Sequence, residues 1–347
     1  MEPQRDNSPQ KNVPHLPLQQ EALAYGMLHN KGKLLTEYSI DAQRVKTLPH
    51  IDLGTNGFNL LVDKFKKDPK DCLAMARENL FSLMEDPKLT RAERSERLGR
   101  YLDAYFALQV KLDHQAFPPD NSVHQGIPNY IPDGLSDMGS DPNTEPSFRT
   151  REKLRVNKAK VLMQCKDLFI NIFSHDFSNI PIAERNDAIK KTIVDQIGKY
   201  VYHALPYDYE GQASYEEGHS VLISDFRDMQ LAVCRQQALY TQVLLQAFGL
   251  TSRYIKTDVT FDVRNLGPHA NNLVRLNKKW FVLDVTNPEK LNPQRSAVFM
   301  KPVSEREIDL NKNKYTWNFD NGYDKRKYVT RNNMFYRIRD NAKDPLG

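Results

Sequence analysis

Long hydrophobic runs are missing from this 347-residue sequence. No stretch approaches the ~18 consecutive apolar residues that a membrane-spanning helix needs. The opening MEPQRDNSPQKNVPHLPLQQ lacks the apolar core of a secretory signal, so a soluble chain without a Sec-type signal is expected. Cysteine is scarce as well. Cys72, Cys165 and Cys234 are an odd number, widely spaced and without a C-x-x-C pair, which argues against a disulfide framework or a structural zinc site. A reducing compartment fits such a chain, whether cytoplasmic or a host cytosol reached without that signal. Carboxylate-rich calcium loops are not evident, so metal-independent action with no cofactor is expected. Charge of one sign is also lacking: 49 basic and 44 acidic residues leave +5, a weak hint of acidic partners that decides no function.

What is present is an ordinary globular composition, 39% hydrophobic and 27% charged, in a chain long enough for about two domains. Residues 1–20, rich in Pro, Gln and Asn, bury too little surface to offset chain entropy and read as a disordered arm. Residues 21–113 carry apolar residues at helical spacing, clearest at Leu98, Leu102, Tyr105, Phe106 and Leu112. Thr90 and Glu93 match the capping box, in which hydroxyl and carboxylate satisfy orphan N–H groups, so a helix from Arg91 to about Leu112 is predicted. Residues 114–150 hold six prolines among Asp, Ser, Asn and Gly, a linker composition. Ile127, Tyr130 and Ile131 give that stretch apolar anchors, so it is either a spacer or a segment packed over the second half.

Residues 151–347 form the second unit. Arg151 to Phe173 reads as helical, and Ile189, Ile193, Ile197, Val201 and Leu205 form an i, i+4 stripe that Pro206 ends. Ala238, Leu239, Val243, Leu244, Ala247 and Phe248 define another helix, with Cys234 in its first turn and Gly249 at the left-handed position beyond its end. The period then changes to two in SRYIKTDV, HANNLVRL and KWFVLDV, the last two joined by a turn at Asn277 and Lys278. Helices followed by antiparallel strands indicate an α+β fold.

Cys234 is the first candidate for chemistry. By residue type a buried structural thiol is the commoner case. At a helix N-terminus, however, the positive end of the peptide dipoles favours thiolate, and Arg235 adds charge beside it. A base is still needed, and His269 at the start of HANNLVRL supplies one. In a hairpin with an even loop, opposed residues have numbers that sum to an odd value. His269 and Asp284 meet that condition, so both side chains fall on one face, within reach of each other. A carboxylate there would hold one ring nitrogen and leave the other for the thiol.

The pattern Cys-x-x-x-Ala-x-x-x-x-x-Leu-Leu-x-x-x-Gly-Leu-x-x-Arg, then His-Ala before a strand, then Trp-Phe-Val-Leu-Asp-Val-Thr, resembles the transglutaminase-like superfamily of papain-type cysteine enzymes. The matching residues are Cys234, Ala238, Leu244, Leu245, Gly249, Leu250, Arg253, His269, Ala270, Trp280, Asp284 and Thr286, within about residues 150–295. Two positions depart from the family's habit: Leu231-Ala232-Val233 precedes the cysteine where Gly-x is common, and Asn271 replaces an aromatic after His-Ala. Both bear on the substrate groove and oxyanion site. The resemblance implies a papain-like core with the Cys helix packed on an antiparallel sheet, and a catalytic triad of Cys234, His269 and Asp284. The Cys234 N–H is the leading oxyanion donor, and Gln230 is a side-chain candidate that could equally be a surface residue.

The expected activity is thiol acyl transfer on an amide of a protein or peptide: transglutaminase, deamidase or cysteine protease according to the acceptor. The alternative is an idle transglutaminase-fold module that binds a protein partner through its N-terminal helical region. His219 reads as a solvated loop residue, His203 as a helix-edge residue, and Cys72 and Cys165 as packing residues. The tail DKRKYVTRNNMFYRIRD mixes basic and aromatic residues; strands finishing the sheet are favoured there over nucleic-acid binding.

Overall fold

The structure, a computed structural model, describes residues 89–116, 123–125, 130–140, 152–175, 180, 182–208, 219–261, 264–288, 299–303, 308–309, 314–320, 325–330 and 333–337. The arm, the helical region before residue 89 and Cys72 therefore lie outside the described residues.

Helix α1 (Arg91–Ala116) begins at the predicted capping box: the Thr90 N–H donates to Glu93 Oε2 at 2.8 Å, and the Glu93 N–H to Thr90 Oγ1 at 3.3 Å. Its stripe of Leu98, Leu102, Tyr105 and Phe106 is buried in the same core as the second unit. Tyr105 donates its hydroxyl to the Ala247 carbonyl, satisfying one orphan acceptor at the end of a distant helix. Part of the proline-rich stretch is built into this core too. Ile131 and Leu135 are buried, Tyr130 donates to Asp113 Oδ1 at 2.7 Å, and Lys158 forms a buried ion pair with Asp113 beneath the Tyr130 ring.

Strands β1 (Val123–Gln125) and β2 (Leu135–Ser140) precede β3 (Glu152–Arg155). The helical reading of Arg151–Phe173 is corrected here. Its first residues are β3, paired antiparallel with β2, and the helix that follows is two pieces, α2 (Lys158–Gln164) and α3 (Lys166–Phe173), broken at Cys165. Glu, Lys and Leu have good helix propensity, but pairing with strands remote in sequence outweighs it. Helix α4 (Ile182–Ala204) ends ahead of Pro206. Next come β4 (His219–Leu222), paired parallel with β3, and the short α5 (Ile223–Met229).

Helix α6 (Cys234–Ala247) is buried along its length beyond Cys234, so it forms the centre of the molecule rather than a surface stripe. Gly249 has φ of 75°, with Gly249 N–H on Gln246 O at 2.8 Å and Leu250 N–H on Leu245 O at 2.9 Å, the two bonds of a Schellman cap. Phe248 beyond the helix stacks on Phe169 at 4.1 Å, which in turn meets Phe106 edge-on.

Strands β5 (Ser252–Phe261), β6 (Arg264–Leu276), β7 (Lys279–Leu283), β8 (Met300–Val303), β9 (Ile308–Asp309), β10 (Lys314–Asp320) and β11 (Lys325–Thr330) form a sheet of order β8-β7-β6-β5-β11-β10-β9. Strand β12 (Asn333–Arg337) leaves it to sit between β1 and β2 in a second sheet of order β1-β12-β2-β3-β4. The tail segment thus forms strands, as expected, but shared between two sheets. Asn272 donates from Nδ2 to Ala238 O and Gln242 Oε1, both at 3.0 Å, tying β6 to α6. The result is an α+β arrangement compatible with a transglutaminase-like core. No helix among the described residues is long and apolar enough to cross a membrane.

Candidate active site

Cys234 is the first residue of α6, half-buried. The chain reaches it from α5 through Gln230, whose φ of 55° and ψ of 36° end that helix in the left-handed region. Extended Val233 then starts α6, its N–H accepted at 2.8 Å by Gln236 Oε1, half of a capping box that valine cannot reciprocate. The side chain of Gln230 is exposed on the turn ahead of the cysteine.

The hairpin turn has two residues, Asn277 and Lys278, with φ of 48° and 64°, the signature of a type I′ turn. That even loop pairs Asn272 with Leu283, so Asn271 and Asp284 stand opposite and His269 lies two residues along on the same face. His269 is interior to β6 rather than at its start, and Asp284 is one residue past the end of β7. The two side chains meet: His269 Nε2 to Asp284 Oδ2 is 2.8 Å, both buried. Asp284 is fixed in turn by the Asn287 N–H on Oδ1 at 3.0 Å and by its own N–H on Phe299 O at 2.9 Å.

With Nε2 engaged by Asp284, Nδ1 is the nitrogen left for the Cys234 side chain, which hydrogen-bonds the His269 ring. The Ala270 N–H also points at the sulfur, near where β7 has ended and its pairing with β6 has stopped. Burial would push the Cys234 thiol up, but the hydrogen bond and charge of His269, with the Ala270 N–H, outweigh it, and the thiol sits below its usual 9.0. Burial would likewise keep His269 neutral, yet the Asp284 charge and hydrogen bond, and then Cys234, push it up to about 10. Both shifts run toward the charged forms of the two groups, thiolate on Cys234 and imidazolium on His269.

Gln237, one turn into α6, was not singled out by the sequence. It receives the Thr286 hydroxyl on Oε1 at 2.5 Å and donates from Nε2 to Leu205 O at 2.6 Å. The loop carrying Asp284 is thereby tied to the helix carrying Cys234. Cys165 is a packing residue: it is buried against the Tyr240 hydroxyl at 3.1 Å, and burial raises its thiol to about 11 despite that bond. His219 and His203 are exposed, His203 edge-on to Tyr202. Among the described residues no group of His, Cys, Asp and Glu is arranged to hold a metal ion.

A helix-borne thiol, a strand-borne imidazole and a carboxylate behind the imidazole thus lie together on the α+β core. Residues 177–301 match the family described as transglutaminase-like domain, which supports the transglutaminase-like superfamily for that stretch. Cys234, His269 and Asp284 all lie inside the match. A comparison with curated proteins finds no match.

Proposed function

We propose that the protein is a cysteine-dependent acyl-transfer enzyme acting on an amide of a protein or peptide, with Cys234 as nucleophile, His269 as acid and base, and Asp284 as its orienter. The observation that carries this reading is the buried His269–Asp284 pair, 2.8 Å apart, set beside the Cys234 thiol at the start of α6, with the thiol lowered by His269 and the ring raised by Asp284 and Cys234. A buried packing thiol such as Cys165 shows the opposite shift.

The thiolate attacks the amide carbonyl carbon, forming a C–S bond and an oxyanion. The Cys234 N–H, at the first helical position and so without an intrahelical partner, is the donor placed to receive that oxygen. Gln230, facing solvent on the turn ahead of the helix, is the side-chain donor to test second by Gln230→Ala. His269 passes its Nδ1 proton to the leaving nitrogen as the C–N bond breaks, leaving a thioester. The acceptor, water or an amine, loses a proton to His269 as it attacks, and release of the acyl group restores the thiolate.

The acceptor is read by incubating wild type and Cys234→Ala with a cell lysate and a tagged primary amine, followed by proteomics. Amine incorporation identifies transamidation, new termini proteolysis, and a gain of about one dalton at glutamine deamidation. Wild-type and Cys234→Ala samples that are indistinguishable, with Cys234 no more reactive than Cys165, would remove the reading.

A further inference from the structure

Four charged side chains are buried under the first turn of α6. Asp137 of β2, fully buried, receives the Tyr254 hydroxyl on Oδ2 at 2.8 Å and Lys256 Nζ on Oδ1 at 2.9 Å. Arg235, the residue after Cys234, places Nε 3.5 Å from Asp137 Oδ2, a buried ion contact made without a hydrogen bond. Its other arm donates from one terminal nitrogen to the Glu152 carbonyl oxygen at 2.7 Å, with Glu152 Oε1 at 3.3 Å. Gln236 adds a bond from Nε2 to Glu152 Oε1 at 3.1 Å. Two cations and two anions balance, as burial requires.

This clamp crosses from one sheet to the other. Asp137 and Glu152 come from β2 and β3, whereas Lys256 and Tyr254 come from β5, and Arg235 is the piece of α6 gripped between them. Neither Asp137 nor Glu152 lies within the stretch that matches the transglutaminase-like family. A buried ion network costs desolvation and adds little net stability, so its worth lies in the single geometry it imposes. That geometry belongs to the turn that aims Sγ at His269. Lys256 and Tyr254 also lie close enough to Cys234 to feel the sulfur's charge.

We propose that Asp137 is a positioning residue: through Arg235 it holds the first turn of α6 so that Cys234 stays in contact with His269. The proposal rests on the functional reading above, since the contact it protects is the thiolate-imidazolium pair. With Asp137 neutralised, Arg235 and Lys256 lose their shared anchor and the turn is free to carry Sγ off the ring. The thiol then reverts toward an ordinary cysteine.

The test is the pH profile of iodoacetamide alkylation at Cys234, followed by mass spectrometry of the full chain, in wild type, Asp137→Asn, Arg235→Lys and Asp113→Asn. Arg235→Lys keeps the charge but cannot reach Asp137 and Glu152 together, and it carries the test should Asp137→Asn fail to fold. Asp113→Asn breaks another buried ion pair, with Lys158, and serves as the control for general loosening. The expected result is a midpoint about one unit or more higher in Asp137→Asn and Arg235→Lys, roughly tenfold slower alkylation at pH 7, and no shift in Asp113→Asn. A midpoint unchanged or lowered in either folded variant, or raised equally by Asp113→Asn, overturns the proposal alone. A wild-type midpoint already at the ordinary thiol value overturns the functional reading and the proposal with it.

Discussion

His269 Nε2 and Asp284 Oδ2 stand 2.8 Å apart because the turn between their strands has two residues, Asn277 and Lys278, and not three. Side chains alternate faces along a strand, so one extra residue would send Asp284 to the other side of the sheet. A glycine inserted between Asn277 and Lys278 is expected to cut Cys234 alkylation at pH 7 by about tenfold or more, to the level of His269→Ala. Lys278→Gly, which keeps the register and relieves a left-handed lysine, should instead raise stability by about 0.5–1 kcal/mol in urea unfolding.

Asp284→Asn leaves the volume unchanged but removes the charge that raises His269. Acyl-transfer rates are expected to fall on the order of 10²-fold or more, with the fold retained by circular dichroism. Full activity in this variant would dismiss Asp284 as orienter.

The His269 ring also ties stability to pH. Its folded-state value is raised above the ordinary 6.5 to about 10, so the stability it contributes is fully present below about pH 6.5 and lost as pH rises through the raised value. Cys234 titrates in an overlapping range, so the effect is isolated in a Cys234→Ala background, where the raised value is lower because the sulfur's share is gone. Urea unfolding of Cys234→Ala with and without His269→Gln should show the histidine's advantage, on the order of a few kcal/mol, shrinking from pH 6.5 upward. An advantage that grows with pH would contradict the Asp284 pairing.

Two helical glycines separate space from backbone. A Cβ on Gly99 would sit 3.9 Å from Ile170, an ordinary contact, so Gly99→Ala should add about 0.5–1 kcal/mol through helix propensity. A Cβ on Gly198 would lie 3.1 Å from Phe299, the residue whose carbonyl accepts the Asp284 N–H. Gly198→Ala should therefore destabilise by roughly 1–3 kcal/mol and slow Cys234 alkylation as well, a coupling that thermal melts and labelling rates check together.

Much of this was legible in the sequence because it depends on local spacing. The capping box at Thr90, the left-handed Gly249 and the two-residue turn each follow from a few adjacent residues, and the parity of 269 and 284 followed from that turn. The misreading of Glu152–Arg155 as helix has the converse cause. Four residues with good helix propensity became a strand because β2 and β4 flank them, and neither partner is a sequence neighbour. Tail residues 325–330 and 333–337 form strands, yet their division between two sheets is set by their partners, β5 and β10 for the first and β1 and β2 for the second.

By itself, then, the sequence determined the thiol's place at a helix start and the common face of imidazole and carboxylate, since helix and strand periodicities are properties of the local backbone. Only the tertiary structure decided that Asp137 and Glu152 grip Arg235 beside that thiol, and that Gln237 holds the loop of Asp284. Buried polar groups must find partners wherever packing brings them, and that pairing leaves no periodic trace along the chain.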